Sequence, residues 1–570
     1  MTPKASPPES ANGAPANNYV LIALLVAVAV VHSSSLVGAY VFDDKTVVND
    51  EAFYDFWKFD WWSSKTLRRP IGRTLFAIQF EFLGSSARVS HLVNVAIHLV
   101  AVAGMFQLLR LVLTHQFAQW SESWRRWVAA AATTIWALHP ITTTVVTYSI
   151  QRFESLAAVG MIWSVYFWIR AYSNSLGATP GEVRVSASPN WFYWTLSLAA
   201  ACFAFGSKQT SAGIPFVLIL ADRAVLRDSW KASVKHWFGP SLLLIPLALG
   251  ASFIVPALFR SSPTKTVGFQ LEGIDTLSYI CSQPFVFLRY LKLTVLPTDL
   301  VLDYGWIPSH FQGWLWLGAV IWLAVFGALW VAWTRRPLIA WLASWALMIL
   351  ATTSLLPTQD IIYEHRYYLP SGMLIAAVVV AVAKLPRVMQ SGEKPMLAVV
   401  AVICVLLAFG TVMRNLDYVS ALRLAQVDAQ RQPENPRALY RVAAFDDDSS
   451  QAQLETALRR AIQMSEERGY WYAGTDYKWR RELADLLYLT GRPTEAAPWY
   501  VEALKENHNP LQEAEVIMSL AIIASINGEN DTADKLFKKG IAMETEVTDQ
   551  LEQAYQTHMR RLSQQSDQAQ

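Results

Sequence analysis

Two adjacent carboxylates follow the first long apolar segment of the chain, in the order Phe42-Asp43-Asp44-Lys45. At a membrane surface, one carboxylate can act as a general base while its neighbour orients it. Paired carboxylates also bind divalent cations, and the ordinary alternative for such a pair is a solvated helix end. We take Asp43 and Asp44 as the candidate catalytic residues. No cofactor is expected, because no His and Cys cluster in the sequence has the spacing of a metal site.

Basic side chains occur further along the chain, where helices are expected to meet the outer membrane surface. Arg152 begins one apolar segment, Lys208 lies between two others, and Glu364-His365-Arg366 precedes a fourth. A guanidinium binds phosphate through a bidentate fork, an imidazole can hydrogen-bond it, and Glu364 would orient Arg366. The alternatives are a Lys208 side chain that snorkels to the interface and a capping network that joins two helices at 364–366. These five residues form the candidate phosphate-binding group.

The first outer loop adds Arg68, Arg69 and Arg73, close to a tryptophan-rich stretch at 57–62. Binding of a lipid phosphate and ordinary headgroup contact explain this composition equally well. Together with the carboxylates, the cations suit transfer of a group from a lipid phosphate to a hydroxyl, because they stabilise the charge that develops on a leaving phosphate. The sequence has no glycine-rich phosphate loop and no persuasive Ser/His/Asp order.

Membrane helices are the elements that must position these side chains. The chain has 570 residues, of which 53% are hydrophobic and 16% are charged, against about 25% charged in ordinary soluble domains. Its mean hydropathy is +0.25. This composition excludes a disordered protein and a disulfide-stapled secreted domain, and it argues against a soluble enzyme. The formal charge of +2 gives no reason to expect a nucleic-acid partner.

Eleven apolar segments are long enough to cross a bilayer, whose core needs about 20 such residues. A twelfth segment, 275–296, is interrupted by Arg289 and Lys292. If this segment is re-entrant or interfacial, the most basic loops all fall on the cytoplasmic side, where Lys and Arg concentrate. The predicted crossings are 19–41, 90–113, 127–147, 154–171, 190–206, 210–226, 237–258, 313–334, 337–357, 370–386 and 395–413.

This topology divides the chain into three predicted parts. Residues 1–18, which are rich in Pro, Ala, Asn and Ser, form a disordered cytoplasmic tail. Residues 19–415 form a polytopic membrane domain. Residues 416–570 form a polar, helical domain on the outer side, in a periplasm or lumen. The C-terminal domain and the candidate residues then lie on the same side of the membrane.

Two segments of the C-terminal domain are similar at an offset of 37 residues. Small residues at helix contacts, a Gly at the turn and an aromatic residue in the second helix are typical of tetratricopeptide repeats. The predicted fold class is therefore all-α, with a membrane bundle followed by a tetratricopeptide solenoid. Such solenoids bind peptides or proteins on a concave surface, and the alternative is a rigid cap or a dimer surface. The matching residues are Leu483, Ala484, Gly491, Ala496 and Tyr500 with Leu520, Ala521, Gly528, Ala533 and Phe537.

In their order along the chain, these motifs resemble those of the transmembrane and tetratricopeptide-repeat-containing O-mannosyltransferases and their bacterial relatives, which are GT-C glycosyltransferases. The resemblance implies a GT-C fold of about eleven membrane helices. It also implies a polyprenyl-phosphate-linked sugar donor and a Ser/Thr hydroxyl acceptor on the outer side. The matching pieces are Phe42-Asp43-Asp44, His139-Pro140, Gln151-Arg152-x-Glu154-Ser155-Leu156, Ser207-Lys208, Leu291-Lys292-Leu293 with Asp303-Tyr304, and Glu364-His365-Arg366-x-Tyr368-Leu369-Pro370-Ser371.

Roles for individual residues follow from the same resemblance. The family's base matches Asp43 best, with Asp44 close behind, and one of the two takes the proton of the acceptor hydroxyl. Lys208 with residues 364–366 grips the donor phosphate, in a single displacement that inverts the anomeric carbon. The chain departs from the bacterial pattern at Thr144 and Gln209, where that pattern has Glu. These departures leave the sugar and any dependence on a metal open. Further residues expected to support the site are His139, Glu154, Arg73, Arg289, Lys292, Asp303 and Tyr304.

We therefore expect an enzyme that glycosylates Ser or Thr of an exported protein, such as a pilin. Its expected place is a bacterial inner membrane, with the site and the repeats on the periplasmic side. The expected partners are the lipid-linked donor, the bilayer and an acceptor polypeptide that the repeats contact. One alternative is an enzyme that modifies a lipid-linked or cell-envelope glycan by the same chemistry. The other is a membrane scaffold or lipid transporter without enzymatic activity.

Overall fold

The computed structural model describes residues 13–50, 53, 56–58, 60, 69–174, 184–259, 267–269, 271, 274–468, 475–505 and 510–569. Within these residues the chain is helical apart from turns and one pair of two-residue antiparallel strands, Ser173–Asn174 and Arg184–Val185. The prediction of an all-helical protein is confirmed. Arg68 and residues 1–12 of the predicted tail lie outside the described residues.

The helices fall into an apolar series followed by a polar one. Short 3-10 segments, including Ser149–Gln151, Gln209–Gly213 and Glu364–Tyr367, introduce several of them. The apolar series is Gly13–His32, Asp44–Val48, Pro70–Phe82, Ala87–Gln116, Glu122–Ala137, Thr143–Val146, Arg152–Ala171, Trp191–Ser207, Ile214–Ala221, Trp230–Ser233, Phe238–Leu242, Leu244–Leu258, Thr276–Val295, Leu315–Arg335, Pro337–Ser354, Tyr368–Ala383, Pro386–Ser391 and Glu393–Asp417. The polar series is Ala421–Arg431, Pro436–Phe445, Gln451–Arg468, Thr475–Leu489, Pro493–Lys505, Pro510–Ile526, Asn530–Ile541 and Thr548–Ala569.

Among the described residues, seven stretches are long and apolar enough to cross a membrane, so the chain is a multi-pass membrane protein. In two of them, only 6% of the most apolar 18-residue segment is buried inside the protein. Such exposure is expected of helices whose outer face contacts lipid. The seven stretches are Tyr19–Val37, Ala87–Gln116, Gln209–Leu226, Pro308–Arg335, Pro337–Ser354, Glu364–Ala383 and Glu393–Asp417, and the two least buried are Pro308–Arg335 and Glu393–Asp417.

The other four predicted crossings also fall on helices, but these are shorter or carry charges. Glu122–Ala137, Trp191–Ser207 and Leu244–Leu258 contain 16, 17 and 15 residues. Arg152–Ala171 contains 20 residues, among them two arginines and a glutamate. The ambiguous segment forms the helix Thr276–Val295, which has a proline inside it and does not belong to the seven apolar stretches.

The domain boundaries were predicted after residues 18 and 415, and an observed helix runs across each of these positions. The first helix, Gly13–His32, begins before Tyr19, and its Pro15 is tolerated because the first turn has no partners for its N–H groups. The last membrane helix, Glu393–Asp417, continues past residue 415. The polar series then starts at Ser420, whose side chain caps the next helix by accepting the N–H of Arg423.

Small residues allow close approach of neighbouring membrane helices. A Cβ atom added at Gly160 would lie 2.7 Å from the carbonyl oxygen of Ala200, and one at Gly318 would lie 2.0 Å from that of Cys281. Backbone packing of this kind stabilises helix pairs in lipid, where the hydrophobic effect does not drive association. These contacts join Arg152–Ala171 to the helix after it, and Leu315–Arg335 to the helix before it.

The 37-residue offset of the sequence is also present in the polar helices. Gly491 and Gly528 end corresponding helices with φ of +79° and +82°. One residue later, the N–H of Arg492 bonds to the carbonyl of Leu487 and the N–H of Glu529 bonds to that of Ala524, each at 2.9 Å. This is the Schellman turn that favours glycine at the helix end. The paired positions on either side of both turns are buried.

Candidate active site

A cavity of about 140 Å³ lies where several membrane helices end and the polar helices begin. Its wall combines carboxylates, cations, one imidazole and tyrosines, which is a composition suited to a polar substrate. Residues from both the membrane part and the C-terminal part contribute to it. The lining residues are Phe42, Asp43, Tyr148, Gln151, Leu302, Asp303, Tyr304, Asp360, Ile362, Tyr363, His365, Arg437 and Arg441.

Asp43 is the carboxylate of the predicted pair that reaches the cavity. It is exposed, and its backbone N–H donates to the hydroxyl of Tyr148 at 3.1 Å. The residue before it, Phe42, has φ of +46°, a left-handed conformation that bulky residues rarely adopt. The chain therefore makes a sharp turn after the first helix, and this turn leaves Asp43 at the cavity wall.

Asp44 faces the opposite way and is 1% exposed. Its carboxylate accepts the backbone N–H of Ile150 at 2.7 Å, of Val41 at 3.2 Å and of Ser149 at 3.4 Å. Burial raises the pKa of Asp44 to about 7, against the lowering effect of these three donors. Asp44 thus joins the turn at 41–44 to the 3-10 segment at 149–151, and it has no access to a substrate.

Three cationic side chains lie close enough to one imidazole of the cavity wall for their charges to act on it. His365 lies on the wall, and the charges of Lys208, Arg366 and Arg69 all act on its ring. Arg366 lies 4.2 Å from the ring centroid of Tyr363, and Arg69 donates to Gln209 at 3.4 Å. We call Arg69, Lys208, His365 and Arg366 the cationic group. The structure brings Arg69, from the first loop, together with three of the five predicted phosphate-binding residues.

Lys208 is held next to the cavity by an ion pair and a hydrogen bond. Its ammonium group lies 2.6 Å from Glu154 and donates at 3.0 Å to Gln151, which lines the cavity. The other oxygen of Glu154 accepts the hydroxyl of Thr210 at 2.9 Å. Glu154 thus pairs with Lys208 and holds this cation beside the cavity.

Glu364 contacts other residues than the predicted Arg366. One of its oxygens accepts the N–H of Val301 at 2.7 Å and the hydroxyl of Tyr304 at 2.8 Å. The other oxygen lies 3.9 Å from the guanidinium of Arg414, inside the protein. Glu364 and Tyr304 therefore fix the loop at 300–305, and this geometry corresponds to the capping network that was the alternative for Glu364.

Arg152 lies apart from the cavity lining and is 0% exposed. It donates to Asn94 at 3.0 Å and to the carbonyl of Ser90 at 3.3 Å, and its guanidinium lies 3.7 Å from the ring centroid of Phe76. A fully buried guanidinium with these partners joins three helices. The predicted phosphate contact of Arg152 has no geometric support.

Four predicted supporting residues also lie apart from the cavity lining. His139 accepts the N–H of Ile141 at 3.1 Å and lies 3.1 Å from the carbonyl of Thr294, so it caps a turn. Arg73 pairs with Asp50 at 3.2 Å. Arg289 donates to the carbonyl of Asp299 at 2.8 Å, and Lys292 pairs with its carboxylate at 2.7 Å. Each of these side chains holds a loop near the site.

Asp303 lines the cavity as part of an ion cluster that the sequence did not predict. Arg441 pairs with it at 2.6 Å, and Arg437 bridges it to Asp360. Although burial alone would raise its pKa, the two arginines hold the pKa of Asp303 at about 2. Arg437 and Arg441 come from the helix Pro436–Phe445, so the C-terminal part supplies two residues of the wall.

A scan of protein-family models and a search of curated proteins both return no match for the chain. Among the described residues, no group of three or more His, Cys, Asp and Glu side chains has the geometry of a metal site. The assignment of a function therefore depends on the cavity and on the order of the motifs.

Proposed function

We propose that the chain is an inverting glycosyltransferase of the GT-C class that moves a sugar from a polyprenyl-phosphate-linked donor to Ser or Thr hydroxyls of an exported protein. One observation carries the proposal: the exposed carboxylate of Asp43 lines the same polar cavity as His365, on whose ring the charges of Lys208, Arg366 and Arg69 act. A hydroxyl acceptor needs a base, and a departing phosphate needs cations. The motif order resembling the O-mannosyltransferases supports the same chemistry.

The proposed reaction is a single displacement. The acceptor oxygen attacks the anomeric carbon, its bond to carbon forms, and the bond from that carbon to the phosphate oxygen breaks. Asp43 accepts the proton of the attacking hydroxyl, and the electron pair of the broken bond leaves with the lipid phosphate. Lys208, Arg366 and Arg69 stabilise the charge on that phosphate, so the leaving group needs no acid. Attack from the side opposite the phosphate inverts the anomeric carbon.

The membrane topology that we propose has eleven crossings with the cavity on the outer side. Basic residues occur at helix ends away from the cavity, which supports a cytoplasmic location for those ends by the positive-inside rule. A phosphatase reporter fused after Gln570 is expected to be active in the periplasm, and one inserted after Asp228 is expected to be inactive. The reverse pattern would contradict the orientation. Examples of these basic residues are Arg110, Arg170, Arg227, Arg335 and Lys384.

The polar helices after residue 420 form a tetratricopeptide solenoid in this proposal. The repeated Schellman turns at Gly491 and Gly528 and the buried small residues beside them support that assignment. The solenoid begins at the cavity wall, since Arg437 and Arg441 both line it. An acceptor polypeptide bound to the solenoid would therefore be delivered close to Asp43. The proposed location is a bacterial inner membrane with these helices in the periplasm.

The test compares exported and surface proteins by intact mass and glycopeptide analysis. Cells carry the wild-type chain, a deletion, Asp43→Asn or the control Asp447→Asn, which removes an exposed carboxylate from a turn outside the cavity lining. We expect a sugar mass on Ser or Thr peptides with the wild type and the control only. Removal of a general base typically lowers a rate by about 10²–10⁴-fold, so occupancy in Asp43→Asn should fall below detection.

Other outcomes separate the alternatives. Unchanged proteins together with an altered envelope glycan would indicate an enzyme that modifies a glycan. An effect of the deletion that Asp43→Asn does not reproduce would exclude Asp43 as the base and would favour a scaffold or lipid transporter.

A further inference from the structure

Phe42 and Asp43 form the turn on which the proposed chemistry depends, and this turn is strained. A phenylalanine with φ of +46° persists only where its surroundings compensate for the unfavourable conformation. Behind the turn, Asp44 accepts three backbone N–H groups. At its start, the N–H of Ala39 bonds to the carbonyl of Tyr418 at 2.9 Å. None of these contacts fixes the side chain of Phe42.

The ring of Phe42 packs against a small apolar cluster around Tyr418, and the helix Pro436–Phe445 of the C-terminal part adds a second contact. The guanidinium of Arg441 lies 4.3 Å from the ring centroid, at the distance of a cation–π interaction. Arg441 is itself held by its pair with Asp303 at 2.6 Å. One helical turn later, Phe445 lies 5.8 Å from the ammonium group of Lys45. Two successive contacts of one helix thus cover the turn that carries Asp43.

We propose that Arg441 is a positioning residue for Asp43, which it controls through Phe42. The pair with Asp303 compensates the charge of Arg441, so its flat guanidinium serves as a surface that keeps the Phe42 ring in place. A turn fixed in this way directs the Asp43 carboxylate into the cavity. The helix Pro436–Phe445 is then an obligatory part of the site as well as the start of the solenoid. This inference rests on the proposed function in that Asp43 is taken as the base.

The test uses the full-length protein in detergent and in cells, with the variants Arg441→Ala, Arg441→Lys, Phe42→Gly and Arg441→Ala/Phe42→Gly. Arg423→Ala is the matched control, because this arginine lies on the preceding helix with 55% of its side chain exposed. One readout is hydrogen exchange of a peptide covering 39–48. The other is sugar occupancy of the acceptor peptides found with the wild type, per amount of folded enzyme.

We expect exchange in 39–48 to be about tenfold faster in Arg441→Ala, with no change in 475–505, because only the turn loses its support. Occupancy should fall at least about tenfold with it. Arg441→Lys retains a charge for Asp303 but lacks the flat surface, so it should show the same changes if Arg441→Ala proves too unstable to purify. The double variant should show the same exchange and occupancy as Phe42→Gly. Glycine adopts a positive φ freely and has no ring, so Arg441 has nothing left to hold at position 42.

Three results would overturn the inference. The first is unchanged exchange of 39–48 in Arg441→Ala, and the second is unchanged sugar occupancy in that variant. The third is a double variant in which Arg441→Ala changes exchange and occupancy as much as it does in the wild type. A failure of the proposed function looks different, because the wild type itself would then leave no sugar. In that case the exchange of 39–48 in Arg441→Ala alone decides whether Arg441 holds the turn.

Discussion

The two adjacent carboxylates after the first membrane helix have different roles: one lines the cavity and the other is buried. Asp43 and Asp44 differ because the turn at Phe42 directs one carboxylate outward and the other toward three backbone N–H groups. The family resemblance favoured Asp43, with Asp44 close behind, but the residue types alone could not separate their roles, since these depend on Tyr148 and on residues near 150.

Replacement of Asp44 by Asn should lower stability and leave the proposed base in place. Both carboxylate oxygens face backbone N–H donors, so the NH₂ group of an asparagine would oppose one of them. An unpaired buried polar group costs about 1–3 kcal/mol. Thermal unfolding in detergent should show a lower midpoint for Asp44→Asn and a wild-type midpoint for Asp43→Asn. Equal midpoints for the two variants would contradict this division of roles.

Arg366 and Arg152 were predicted to share a role, and the structure separates them. Arg366 belongs to the cationic group, so Arg366→Gln should raise the donor KM about tenfold or more at an unchanged unfolding midpoint. Arg152 is fully buried against Asn94, Ser90 and Phe76, so Arg152→Gln should lower the midpoint instead. The loss expected on removal of a buried charged partner is about 1.5–3 kcal/mol. A raised donor KM in Arg152→Gln with intact stability would restore the original prediction.

At the scale of the helices, apolar runs predicted the seven membrane-spanning stretches found among the described residues, but few of their ends. The crossing predicted at 127–147 is broken after Ala137, where His139-Pro140 follows, because proline cannot continue a helix. The extension of the first helix to Gly13 and of the last membrane helix to Asp417 was not visible, because helical ends depend on capping and packing as much as on hydropathy. Arg152 and Glu154, inside Arg152–Ala171, contact residues outside that helix, which a pattern along one helix cannot reveal.

Glycines of one helix provide a test of helix packing. In Leu315–Arg335, a Cβ atom at Gly318 would meet the carbonyl oxygen of Cys281, whereas one at Gly327 would have no atom within 4 Å. Gly318→Ala should therefore lower the unfolding free energy by about 1–3 kcal/mol, because the neighbouring backbone must move.

Gly327→Ala is the matched control and should be neutral or stabilising by up to about 1 kcal/mol, since alanine favours a helix. The measurement compares the thermal unfolding midpoints of the two purified variants in the same detergent. A loss of equal size at both positions would show that helix propensity, and not packing, determines the effect.

At the scale of the whole molecule, the C-terminal helices are attached to the membrane part by charged groups around one loop. Asp428 accepts the N–H of Leu302 at 3.0 Å, and Asp303 in the same loop pairs with Arg437 and Arg441. The sequence predicted a separate polar domain on the same side as the site. It gave no signal for Arg437 or Arg441, because arginines on an amphipathic helix usually lie on its solvated face.

Two of the buried aspartates, Asp303 and Asp428, respond to pH with opposite signs. The arginines hold the pKa of Asp303 at about 2, so its contribution to stability is present above its ordinary pKa of 3.8 and is lost as the pH falls toward 2. Burial raises the pKa of Asp428 from 3.8 to about 7. Asp428 therefore stabilises the folded state most below pH 3.8, and this contribution is lost as the pH rises to about 7.

Attachment of the C-terminal helices should consequently weaken between about pH 4 and pH 7, and Asp428→Asn should remove this dependence. An asparagine oxygen still accepts the N–H of Leu302, but the side chain does not ionise. A pKa difference of about three units corresponds to a loss on the order of 4 kcal/mol. The thermal unfolding midpoint should fall between pH 5 and pH 7.5, and this fall should be larger for the wild type than for Asp428→Asn. Asp447→Asn, which removes an exposed carboxylate, should behave as the wild type. Parallel pH dependence in all three proteins would mean that Asp428 is ionised in the folded state and that Arg414, whose charge acts on it, outweighs its burial.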